Sequence, residues 1–113
     1  MAYYETVMIA RQDISASHVD KLVEEFAKII TDHKGKLVSK EYWGLKNLAY
    51  KIQKNKKGHY VLMNLDATPE GLAEMERKMS LNEDVLRFLT IKVDEISKEP
   101  SIMMKNNSRR EDR

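Results

Sequence analysis

The residues best equipped for chemistry lie together in one stretch, Glu41-Tyr42-Trp43-Gly44-Leu45-Lys46-Asn47-Leu48-Ala49-Tyr50-Lys51-Ile52-Gln53. It holds the chain's single Trp, two Tyr, a Gly and the lysines Lys46 and Lys51, and Lys54, Lys56 and Lys57 follow at once. Aromatic rings stack on bases and ammonium groups neutralise phosphates, so this mixture suits a surface that meets nucleic acid. The plainer alternative is an amphipathic β-hairpin whose lysines face water.

Other chemistry finds little support. The three histidines, His18, His33 and His59, have no partners at metal-ligand spacing. Ser15, Ser17, Ser39 and Ser80 lack a nucleophile elbow, and the four glycines are too scattered to cradle a phosphate. There is no Cys, which removes disulfides, thiol catalysis and Cys-bound zinc together. No enzyme, metal, cofactor or small-molecule substrate is expected. No apolar run approaches the roughly 20 residues of a membrane span, and Met1-Ala2-Tyr3-Tyr4-Glu5 lacks the features of a signal peptide. The chain reads as cytoplasmic.

The net charge of +2 conceals a strong asymmetry. Residues 34–57 carry eight lysines and one acid, for +7. Residues 13–32 hold five acids and two lysines, for −3, and residues 66–84 hold six acids and two bases, for −4. An anionic partner should therefore be met by the middle of the chain, with the acidic segments turned elsewhere.

The flanking patterns say what positions that stretch. Tyr3 to Ala10 is rich in aromatic and β-branched residues and predicts a strand. Ser15 or Ser17 can cap a following helix, whose apolar stripe is Val19, Leu22, Val23, Phe26, Ile29 and Ile30. Lys34 stands at its negative end, and Gly35 is the residue expected to turn left-handed and stop it. Lys36 to Tyr42 predicts a strand that Leu48 to Ile52 extends beyond a bend at Gly44. Lys54 to Gly58 reads as a polar hairpin loop, and His59 to Leu65 as a central strand. Thr68-Pro69-Glu70 predicts a helix start, Leu72, Met75 and Met79 its stripe, and Asn82 its stop. Val85 to Val93 is the last strand.

This order predicts an α+β, ferredoxin-like split βαβ fold (βαββαβ): a four-stranded antiparallel sheet with two helices on one face. A single domain over residues 1–96 is expected, followed by a polar, basic tail without fixed structure over 97–113. The fold hosts unrelated functions, so a site must decide. RNA-recognition motifs place a basic residue, Gly and then aromatics on the third strand. Lys57-Gly58-His59-Tyr60 begins that way, but its aromatic falls one place out of register. That slip would turn Tyr60 off the stacking face, leaving it as readily a core ring.

The motifs taken in order resemble one family, that of the sixth protein of the bacterial small ribosomal subunit. The likeness runs from Tyr4 to about Val93. It rests on Tyr4-Glu5-Thr6, Trp43-Gly44, Lys46-Asn47-Leu48-Ala49-Tyr50-Lys51-Ile52, Gly58, Tyr60, and Asn82-Glu83-Asp84-Val85-Leu86-Arg87. Two positions depart from it: Tyr3 stands where Arg is frequent, and Lys51 where Pro commonly follows the tyrosine. The resemblance implies a structural, non-catalytic component of the ribosome. It also implies that the chain joins the eighteenth small-subunit protein and, with it, binds the central domain of 16S ribosomal RNA. The runner-up is a regulatory domain of the same fold that binds a small metabolite and dimerises through its sheet. That reading wants a glycine-rich or polar loop after the first strand, and Arg11-Gln12-Asp13 offers little of it.

The candidate RNA contacts are Lys46, Lys51, Lys54, Lys56, Lys57 and Arg87, each weighed against simple solvation. For Arg87 an ion pair with an acid such as Glu5 is the other option. Trp43 and Tyr50 are candidates for stacking on RNA or a protein partner, with core packing the favoured alternative for Trp43.

Overall fold

A computed structural model describes residues 2–94. The tail expected over 97–113, and the domain boundary placed at residue 96, lie outside the described residues.

The chain forms β1 (Ala2–Arg11), α1 (Ala16–Asp32), β2 (Lys36–Ile52), β3 (Asn55–Ala67), α2 (Pro69–Leu81) and β4 (Val85–Val93). The strands make one antiparallel sheet in the order β2-β3-β1-β4. This is the ferredoxin-like arrangement, with both helices on one face.

Local signals account for the helices. Ser15, not Ser17, caps α1, its Oγ accepting from the His18 amide at 3.1 Å. The stripe Val19, Leu22, Val23, Phe26 and Ile30 is buried, and Ile29 flanks it. At the far end the Lys34 amide donates to Thr31 O (3.0 Å) and the Gly35 amide to Ile30 O (2.9 Å), the paired bonds of a Schellman motif. The left-handed residue there is Lys34, with φ of 69°, and not Gly35 as the sequence suggested. α2 starts as expected: Thr68 Oγ1 accepts from the Gly71 amide at 3.0 Å, with Pro69 in the first turn. Met75 and Met79 are its fully buried residues, and Asn82 is its C-cap.

The pleat divides the sheet into two faces. Met8 and Ala10 of β1, Val61, Met63 and Leu65 of β3, and Phe88 of β4 turn toward the helices. Burying one such side chain is worth about 1.5–3 kcal/mol. An exposed ion pair is worth about 0–1 kcal/mol, so the core and not the surface charge holds the sheet together. Thr6 Oγ1 and Thr90 Oγ1, 2.8 Å apart, tie β1 to β4. The alternate residues Val7, Ile9, Tyr60, Leu62, Arg87, Leu89 and Ile91 form the open face.

β2 differs from expectation. It is one strand of 17 residues, not two pieces about a bend. Its register with β3 shifts between Leu37 and Ser39, between Tyr42 and Gly44, and between Asn47 and Ile52. Gly44 (φ 96°) sits at the second shift, where a residue with Cβ would be strained. The hairpin loop is also shorter than expected: Ile52 pairs with Asn55, so the turn is Gln53-Lys54 alone and Lys56 to Gly58 belong to β3. Both turn residues have positive φ, 48° and 68°, the pattern of a type I′ turn.

Candidate nucleic-acid interface

The lysine-rich segment folds into the β2–β3 hairpin and carries its charge toward the tip. Lys51, Lys54, Lys56 and Lys57 are exposed. Among the described residues, none of these four forms an ion pair. Lys46 is half-buried opposite Gly58. Farther back on β2, Lys40 pairs with Asp20 at 3.9 Å.

The acidic helices partly compensate within themselves. Asp32 holds Lys28 at 3.1 Å, and Glu74 holds Arg77 at 2.6 Å. Arg11, which lines the cleft beside the turn, is engaged by Asp13 at 2.7 Å and lies 3.8 Å from Asp84. The hydrogen bond to Arg11 holds the Asp13 carboxyl below the usual carboxylate range. Arg11 is thus already neutralised, while the tip lysines are not.

The aromatic candidates have different partners. Trp43 stacks on Tyr60, with centroids 6.4 Å apart and planes 16° apart, and its Nε1 donates to Glu41 Oε1 at 3.0 Å. Tyr60 therefore lies on the open face with Trp43. The expectation that the slipped register would remove it from that face fails, because Val61, Met63 and Leu65 take the core side of β3 and leave Tyr60 and Leu62 on the other. Tyr50 is 60% exposed. Arg87 Nη1 donates to its hydroxyl at 2.7 Å, and the guanidinium carbon lies 5.2 Å from the ring centroid. The partner of Arg87 is thus Tyr50 and not an acid such as Glu5. β2 and β4 are opposite edges of the sheet, so this contact requires the irregular stretch Leu48–Lys51 to arch across the open face. Leu48 accordingly lies over Gly58 beside Ile9.

On the helix side the same hairpin is fastened by a relay. His59, 5% exposed, donates from Nε2 to Ile14 O at 2.7 Å. Its Nδ1 is then the acceptor for the Tyr42 hydroxyl, also at 2.7 Å. Burial pushes the Tyr42 phenol above its ordinary pKa.

Two residues that the sequence did not single out shape the tip. Gln12 and Asn55 bind the backbone around the turn. Nothing in the local pattern marks Gln12, since its partners lie across the fold, whereas Asn55 binds carbonyls only two and three residues before it. No group of three or more potential metal ligands occurs among the described residues. The cleft beside the turn, about 280 Å³, is lined by Arg11, Gln12, Asp13, Gln53, Lys54 and Asn55 and is mainly polar.

Residues 3–92 match the family model described as Ribosomal protein S6. The chain belongs to the ribosomal protein S6 family. Similar relatives are the small ribosomal subunit protein bS6 of Rickettsia canadensis (strain McKiel), 60% identical over 96% of this chain and 89% of the relative, and that of Rickettsia bellii (strain RML369-C), 58% identical over 96% and 90%. A crystal structure of 30S ribosomal protein S6 from Thermotoga maritima shares the fold with a TM-score of 0.74, at 24% identity over 99% of this chain and 98% of that one. The C-terminal domain of MgtC from Mycobacterium tuberculosis also superposes, with a TM-score of 0.57 at 12% identity over 88% and 95%. That fold is therefore shared beyond the S6 family. Family membership makes the chain a structural, non-enzymatic component of the small ribosomal subunit in the cytoplasm.

Proposed function

We propose that this S6-family chain binds 16S ribosomal RNA through the tip of the β2–β3 hairpin, with the eighteenth small-subunit protein as its partner. One observation carries the reading: four exposed lysines without ion pairs project from an ordered hairpin beside the Tyr50–Arg87 contact. Lys51, Lys54, Lys56 and Lys57 supply phosphate contacts, Lys46 flanks them, and the exposed ring of Tyr50 offers a surface for an unpaired base. Arg87 holds that ring from β4 and adds a further cation. Trp43, already stacked on Tyr60, supports the platform from within.

The partner is supported by the open sheet face, where Leu89 is 67% exposed, Ile91 51% and Tyr3 39%. Adjacent apolar side chains of this kind suit a protein contact. A chain of net charge +2 offers limited attraction to RNA by itself, and a basic partner on that face enlarges the cationic surface.

The test is a salt titration of binding to a central-domain fragment of 16S ribosomal RNA, with and without the eighteenth protein. Lys54→Ala, Lys56→Ala and Lys57→Ala together should weaken binding and flatten the log-affinity against log-salt slope by roughly 0.7–0.9 for each phosphate that is no longer neutralised. An unchanged slope moves the RNA surface elsewhere. Equal affinity with and without the partner protein removes the cooperative part of the proposal.

A further inference from the structure

We propose that Gln12 and Asn55 are positioning residues that hold the lysine-bearing tip in the conformation that meets RNA. This rests on the RNA-binding reading above.

The tip lies where ladder support runs out. Pairing of β1 with β3 ends at Arg11 and Gly58, so Asn55, Lys56 and Lys57 extend past their inner neighbour. Pairing with β2 is broken between Asn47 and Ile52. The turn itself places two residues other than glycine, Gln53 and Lys54, at positive φ. Such conformations persist only where the surroundings over-determine them.

Side-chain amides supply what the ladder lacks. Gln12 Oε1 accepts from the amides of Lys56 (3.2 Å) and Lys57 (3.0 Å). The Gln12 backbone N–H donates to Asn55 Oδ1 at 3.2 Å. Asn55 Nδ2 donates to the carbonyls of Ile52 and Gln53, both at 3.1 Å. Gln12 Oε1 and Asn55 Oδ1 face only donors and Asn55 Nδ2 only acceptors, so the network fixes both orientations. Gln12 thus continues β1 by one step with its side chain, and Asn55 closes the turn from inside.

The backbone units held in this way are those that carry Lys56 and Lys57. Loosening them leaves the number of charges unchanged but spreads their positions. Apparent affinity then falls by the fraction of time the tip is competent.

The experiment uses the full chain, the 16S central-domain fragment and the eighteenth protein, with Gln12→Met removing the acceptor at nearly constant volume. Binding should weaken about tenfold, the loss expected for one or two ordering hydrogen bonds, with an unchanged salt slope. Hydrogen exchange should accelerate at the Lys56 and Lys57 amides and stay slow at Met63 and Leu65. Gln12→Glu, which keeps an acceptor oxygen at this position, should retain protection at both lysine amides. Unchanged affinity in Gln12→Met, unchanged exchange, or a flattened salt slope would each overturn the proposal. If the triple lysine variant leaves the slope unaltered, the RNA reading fails instead, and the exchange arm still decides whether Gln12 orders the tip.

Discussion

Replacing Gly35 by Ala and Lys34 by Gly should move stability in opposite directions, although the residues are neighbours in one Schellman motif. An added Cβ at Gly35 would press onto the Asp66 carbonyl oxygen, lie 2.9 Å from Ile30 Cγ2 and 3.1 Å from Ala67 Cα. Two of these three atoms belong to the β3 backbone and cannot rotate away. Overpacking of this kind costs about 1–3 kcal/mol, and a clash with fixed backbone belongs at the upper end. Lys34 is the residue held at φ 69°. The left-handed conformation costs a residue with Cβ about 1–2 kcal/mol, and glycine removes that cost. Against it stands about 0.4–1 kcal/mol for the greater freedom of glycine in the unfolded chain. The net gain is about 0.5–1 kcal/mol. With a urea m-value of about 1–3 kcal/mol/M, Gly35→Ala should lower the unfolding midpoint by about 1 M or more, and Lys34→Gly should raise it by a few tenths of a molar. Parallel slopes in the two melts would show that the native and denatured states are otherwise unchanged. A neutral Gly35→Ala, or a destabilising Lys34→Gly, would refute this account of how α1 ends.

Two further outcomes are expected. Tyr42→Phe removes the donor to His59 Nδ1 while keeping the ring stacked at 5.9 Å. It should cost about 1–2 kcal/mol in the same urea assay, and a loss under about 0.3 kcal/mol would mean that water replaces the hydroxyl. The second concerns pH. The hydrogen bonds from Arg11 to Asp13 and from Arg77 to Glu74 depress both carboxyl pKa values in the folded state. Their contribution is therefore present above the unfolded values and is lost as pH falls through the folded ones, below about pH 4. Both pairs are exposed, so the effect is small. Asp13→Asn with Glu74→Gln should make thermal stability less steep in pH between about 4 and 2, and an unchanged profile would remove these pairs from the acid response.

Much of the fold was legible because its signals are local. The α1 stripe, the Thr68-Pro69 start and the Val85 to Val93 strand each follow from spacing or from one capping residue. What escaped depends on cross-strand geometry. The register shifts of β2 have no marker beyond Gly44, since a bulge is set by what the facing strand can pair. The Gln53-Lys54 turn lacks the Asn-Gly or Asp-Gly signature and is closed by Asn55, which Gln12 engages from 43 residues away. The side taken by Tyr60 is hidden for the same reason: parity along β3 is fixed by its pairing with β1. Within the candidate site, the concentration of lysines was visible in sequence. That Arg87 from the far edge would engage Tyr50 was not, because it depends on the arch of Leu48 to Lys51 across the sheet.

The position of β1 bears on how the chain emerges during its own synthesis. β1 is made first, yet both of its neighbours come late: β3 begins at Asn55 and β4 ends at Val93. The Thr6–Thr90 bond spans nearly the whole described chain. Translation at about 5–20 residues per second leaves the nascent β1 with unsatisfied edges for several seconds, while its core residues Met8 and Ala10 lie uncovered. Closure of the sheet must wait for almost the last codon of β4.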